Sequence, residues 1–149
     1  MRQRMRRAKG EDGVVLVEFA LVFVLFIFIL YALVAFGTAL ALKQSVTHAA
    51  AEGARAAVGV VDNPSTPDDE RVLKAKQEVR ESLDWIGDKY SDDDVEARVD
   101  PCSSGSTDDC IFVAIRYPYN DKPIVPSAPG LGVVLPDTMT SNAVVKIDS

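Results

Sequence analysis

The sequence predicts an α+β protein: a long N-terminal transmembrane helix, then a small domain of one helix and about three antiparallel strands. Three observations carry this reading. From Phe19 to Leu42 there are 24 positions without a charged side chain. An Ala-rich stretch follows, with no proline before Pro64. Beyond it, an apolar spacing of three and four residues gives way to strict alternation.

The chain opens on a basic tip. Residues 1–13 hold Arg2, Arg4, Arg6, Arg7 and Lys9 against Glu11 and Asp12. The whole chain has formal net charge −6, so residues 14–149 hold 11 basic and 20 acidic side chains, a net of −9. A basic tip before an apolar run predicts a cytoplasmic N-terminus. A nucleic-acid arm is the other use of such a tip, but this one adjoins a membrane span. The acidic remainder argues against nucleic-acid binding, which needs cationic surface to displace counterions.

At 1.5 Å per residue the uncharged run makes about 36 Å of helix, enough to cross the hydrocarbon core. Leu, Val, Phe and Ile occupy every face, unlike a one-sided surface helix. A cleaved secretory signal is the rival reading. It has the basic start and a small-x-small site at Ala39–Leu40–Ala41. Signal cores run only about 7–15 residues, however, and this run is far longer.

No breaker ends the helix at Leu42. "KQSVTHAAAEGARAAVGVV" is dominated by Ala, the best helix former, and Glu52 and Arg55 stand at pairing distance along a helix. The expectation is one helix over 14–60, roughly 70 Å long. The expected boundaries are a basic cytoplasmic leader at 1–13, a transmembrane helix at 14–42, its exposed continuation at 43–61, and an extracytoplasmic α+β domain at 62–149. Such an extension needs something to pack on. Gly37, Ala41, Ser45, Ala49, Gly53 and Ala57 place a small residue at every fourth position. A row of this kind lets another helix approach closely. An Ala-rich segment also produces such rows by chance. The glycines favour the packing reading, since each costs about 1 kcal/mol relative to Ala.

"DNPSTPDDE" at 62–70 is a turn-rich hinge. A second helix is expected over 68–86, with Asp68, Asp69 and Glu70 at its positive end. Val72, Ala75, Val79, Leu83 and Ile86 form its apolar face, and Gly87 its stop. Strands follow at 95–100 and 110–118. Val95, Ala97 and Val99 share one face of the first; Ile111, Val113, Ile115 and Tyr117 share one face of the second. A third strand is expected at 142–148. Between the last two lies an excursion with Pro118, Pro123, Pro126, Pro129 and Pro136, long enough to carry recognition or cover an edge.

The only two cysteines are Cys102 and Cys110. On the outer side of a membrane such a pair reads as a disulfide closing a polar loop, for about 2–3 kcal/mol. A metal site there would need further ligands from Asp108, Asp109 or distant His48. "SDDD" at 91–94 lacks the spacing of a calcium loop and reads as a solvated acidic turn, with a weak calcium site as the alternative. There is a single histidine, and no Gly-x-Ser-x-Gly or phosphate-cradling glycine loop. The reading is therefore of a non-enzyme without cofactor or metal.

The stretch "KGEDGVVLVEF" remains. Gly13 directly precedes the apolar run, and Glu18 and Phe19 are the fifth and sixth residues after it. A central acid in a bilayer costs roughly 2.5–3.5 kcal/mol. Glu18 either snorkels at the inner edge, about 7 Å past Gly13, or is needed there. This arrangement resembles the class III signal of type IV pilins and pseudopilins. The resemblance implies cleavage by a membrane prepilin peptidase between Gly13 and Val14. It also implies that Glu18, beside Phe19, pairs with the N-terminal amine of a neighbouring subunit. Pairing makes two buried charges tolerable.

The "VEFAL" entry and the "AAAEGARAAV" close, within Val14 to Val58, resemble the TadE-like family of the Tad (tight adherence) pilus system. That likeness implies a pseudopilin or minor pilin that helps assemble a Flp-type pilus in a bacterial membrane. Its implied partners are other pilin-like Tad subunits, the assembly machinery and the prepilin peptidase. From the residues alone, a tethered or secreted ligand-binding module is the alternative.

Overall fold

The computed structural model describes residues 5–61, 70–126 and 135–147, with side chains from residue 13 onward. The elements run α1 (Met5–Val58), α2 (Glu70–Leu83), β1 (Val95–Pro101), β2 (Asp109–Tyr117) and β3 (Met139–Lys146). The layout is the α+β arrangement expected: a long apolar helix, a second helix and three antiparallel strands. The chain divides into two compact units, Met1–Gly37 and Thr38–Ser149.

In the first unit the helix is exposed on all sides from Val14 to Leu30. α1 starts at Met5, earlier than expected, because Ala8, Lys9 and Glu11 are competent helix formers. The stretch from Gly13 to Val58 contains the single described helix long and apolar enough to cross a membrane.

The second unit, the head, begins inside α1. Leu42, Val46, Ala49, Ala50, Ala54 and Ala57 are fully buried. Their spacing of three and four residues marks one face of the helix. The continuation of the helix over 43–61 is therefore core on that face, because Ala residues let α1 lie close to its neighbours. α2 contributes Ala75, Val79 and Leu83, all fully buried, and Ile86 follows just beyond it. Helix geometry stops at Leu83 and continues as a tight 3-10 segment over Asp84–Lys89. Gly87 kinks that segment with φ +60° and ψ −137°, a backbone conformation open mainly to glycine. Asp68 and Asp69 lie outside the described residues.

The sheet order is β1-β2-β3. Val113 faces Ala97 on β1 and Ala143 on β3, and Ile111 faces Val99 and Val145. Ile111, Val113, Ile115 and Tyr117 are all buried against the helices, so the alternation of β2 sets the inner face. β3 starts at Met139, three positions before the expected 142. Its inward positions are Met139, Ser141, Ala143 and Val145, and polar Ser141 hides the alternation at its start.

The β1–β2 hairpin closes with Pro101 opposite Asp109. Cys102, just beyond that pair, forms a disulfide with Cys110 inside β2, their Cα atoms 4.9 Å apart. Gly105 sits at the turn with φ +85°, and the Cys102 N–H donates to the Asp108 carbonyl at 2.9 Å. The proline excursion is tied to the core at both ends. Tyr119 is buried, and Ile124 and Leu135 pack against the core. The Tyr117 hydroxyl donates to the Lys122 carbonyl at 2.7 Å. Pro129 lies outside the described residues.

Candidate processing and helix-packing surface

Three α1 glycines meet different surroundings. A Cβ built on Gly53 would stand 2.7 Å from Val79 Cγ2 and 2.9 Å from the Ala75 carbonyl oxygen. Gly53 is therefore what lets α2 approach α1. A Cβ on Gly13 or Gly37 would meet nothing within 4 Å. Each is a helical glycine costing about 1 kcal/mol relative to Ala, and packing among the described residues requires neither.

The row of small residues is consequently not one surface. Gly37 and Ala41 are exposed and Ser45 is half-buried, whereas Ala49, Gly53 and Ala57 are buried in the head. Of the row expected to let another helix approach, Ala49, Gly53 and Ala57 face the chain's own core, and at Gly53 the helix that approaches is α2. The rotation is that of the helix itself, since four residues turn it by about 400° and carry the row around the axis.

Glu18 is exposed among Val14, Val15, Leu16, Val17 and Phe19, all of them exposed as well. Among the described residues it has no ion-pair partner. Phe19 stacks on Phe23 one turn later, with ring centroids 5.8 Å apart. Val14 and Glu18 are four positions apart and so lie on one side of the helix.

Elsewhere the charged side chains serve structure. Glu52 pairs with Arg55 at 2.9 Å, as their spacing indicated, and lies 3.6 Å from His48. In the acidic turn Asp92 binds Arg80. Asp94 accepts from the Ser91 backbone N–H at 3.0 Å and lies 3.7 Å from Lys122. These carboxylates thus hold a turn and two cations. No group of three or more His, Cys, Asp or Glu among the described residues is placed to hold a metal.

Tyr90 packs beside this turn, with its hydroxyl buried and unbonded. Burial and then the Asp92 charge push its phenol up to about 12; Arg80 opposes them, and Asp94 adds a smaller push upward. The folded state therefore disfavours the phenolate. The head should keep this contribution in full below pH 10 and lose it as pH rises from 10 to about 12. Burial also raises Tyr117, so an alkaline titration followed by phenolate absorbance should show more than one late tyrosine, and Tyr90→Phe should remove one of them. Early titration of Tyr90 in the folded head would contradict the buried hydroxyl.

These features define a class: a protein with one candidate membrane helix whose second half is built into a small α+β head. Residues 13–55 match the model of the family described as TadE-like protein, so over that segment the chain is similar to that family. The match begins at Gly13, includes Glu18 and ends at Arg55, inside the head. Such a segment on an apolar helix fits a membrane protein associated with a Tad pilus. No curated protein and no solved structure matches the chain.

Proposed function

We propose that the protein is a single-pass pseudopilin or minor pilin of a bacterial Tad pilus system. Its N-terminus is cytoplasmic and its head extracytoplasmic, and it is matured by a prepilin peptidase after Gly13. The carrying observation is the pair Gly13 and Glu18 inside the TadE-like helix. The glycine costs helix stability and meets no packing demand, and the acid stands in an exposed apolar surface without a described partner.

A peptidase explains the first residue, since a missing side chain lets it close on the backbone. Cleavage there frees an amine at Val14. The amine of a neighbouring subunit then explains Glu18, offsetting two desolvated charges and setting the stagger between helices. Gly37 and Ala41 remain as the exposed small residues for contact with another pilin-like helix. The protein works by packing and one charge pair, with no catalytic step.

The rival, a module released by cleavage after Ala41, is disfavoured by burial. Its new α-amine would fall at Leu42, which is fully buried. A charged terminus at that position would carry a heavy desolvation penalty. N-terminal sequencing of the membrane-extracted protein tests both readings. Val14 is the expected first residue; Leu42 would indicate release, and Met1 an unprocessed anchor.

A further inference from the structure

We propose that Trp85 seats the head on the surface of the bilayer that α1 crosses, with its indole in the lipid headgroup layer. This seating requires that α1 span the membrane, but neither cleavage after Gly13 nor pilus assembly. Trp85 is the chain's single tryptophan. It is 55% exposed and lies outside the core cluster, although its neighbour Ile86 is buried. Among the described residues of the head it is the one exposed Phe, Tyr or Trp.

The packing of α2 on α1 sets the height of this residue. A Cβ on Gly53 would meet both Ala75 and Val79, so Gly53 lies level with the middle of α2. The two helices run antiparallel, since Arg71 near the start of α2 donates from Nε to the carbonyl of Val60, just past the end of α1, at 3.0 Å. From the Gly53 level, the chain runs back through Leu83 and into the 3-10 segment to Trp85, about 13 Å in all. The same distance along α1 is about nine residues, to the level of Gln44.

At that level α1 changes from lipid to water chemistry. Leu40 is the last large apolar residue that α1 leaves exposed. Lys43 is the first charged residue after Glu18, and both Lys43 and Gln44 are exposed. Trp85 therefore stands about 6 Å beyond Leu40, and the headgroup layer is about 5–7 Å deep on each side of the hydrocarbon. Tryptophan favours this layer, because its ring is apolar and its N–H needs a polar partner. Asp84 and Asp88 flank it in the 3-10 segment and are exposed. Those carboxylates repel anionic lipid and suit the ammonium of a zwitterionic headgroup, which also sits well on an indole face. Leu73, the exposed large apolar residue of α2, lies about 19 Å farther from this level.

The test uses the full chain in phosphatidylcholine vesicles, where all tryptophan emission comes from Trp85. Spin-labelled phosphatidylcholine carries the quencher either near the headgroup or near the terminal methyl, and iodide is placed on both sides of the membrane. The label near the headgroup should quench about twofold or more better than the deep one. A tryptophan moved to the far end of α2, by Leu73→Trp in a Trp85→Phe chain, serves as the water-exposed reference. Iodide should quench Trp85 about fivefold less than that reference. Diluting the protein about tenfold in lipid should change neither result. Trp85 as open to iodide as the reference would overturn the proposal. So would stronger quenching by the deep label, or shielding that fades on dilution, which would mean that a second copy covers the indole. A chain that does not float with the vesicles would overturn the membrane span itself, and the seating with it.

Discussion

Glu18→Gln and Glu18→Ala should abolish pilus assembly while leaving the head folded. The Gln variant keeps the volume and removes only the charge. On the proposed pairing, loss of the carboxylate leaves each incoming Val14 amine unpaired in an apolar contact. Removing one partner of a buried ion pair costs about 3–5 kcal/mol, which is a factor of more than about a hundred in each subunit addition. Head stability should not change, because Glu18 lies in the first compact unit and the core is built from Ala39 onward. The measurements are surface pilus counts beside a thermal melt of the purified chain. Normal piliation with either variant would sink the charge-pair mechanism. Cleavage after Gly13 would survive that result, since sequencing at Val14 reports on it separately.

The second large effect is structural. Gly53→Ala should destabilise the head, although alanine is the better helix former. The added methyl would meet Val79 Cγ2 at 2.7 Å and the Ala75 carbonyl oxygen at 2.9 Å. A side chain can rotate, but a main-chain oxygen moves only with its helix. Overpacking of this kind costs about 1–3 kcal/mol, against about 1 kcal/mol gained in helix propensity. Gly53→Leu should prevent α2 from docking. Gly37→Ala is the control: with open space around it, that change should be neutral or slightly stabilising in the isolated chain. Thermal melts of the three variants give the order directly. If Gly53→Ala melts at or above the parent temperature, the close α1–α2 contact is wrong.

Sequence reading succeeded where side-chain type and period agree. β2 places Ile111, Val113, Ile115 and Tyr117 at every second position, and all four are buried. The α2 face was legible for the same reason, with Ala75, Val79 and Leu83 fully buried and Val72 at its margin. The second half of α1 was harder. Its core face is mostly alanine, which buries little area per residue and gives only a faint amphipathic signal. Gly53 and Gly37 read alike in the sequence, and only the position of α2 separates a packing glycine from an exposed one. Gly13 and Glu18 stand out in the sequence because a charge beside an apolar run is conspicuous.

The burial of α1 in the head also has a consequence for the order of folding. Lys43 bonds the Thr140 carbonyl across 97 positions of sequence, and the core that holds Leu42 also holds Met139 and Ile147. Contacts this distant form late. During synthesis the Ala-rich helix emerges first and must wait for β3 before its inner face is covered. Alanine suits that interval: a helix faced with alanine forms on its own propensity and offers little apolar area for wrong partners to seize. The composition that blurred this segment in the sequence is then what lets it stay exposed safely until the last strand arrives.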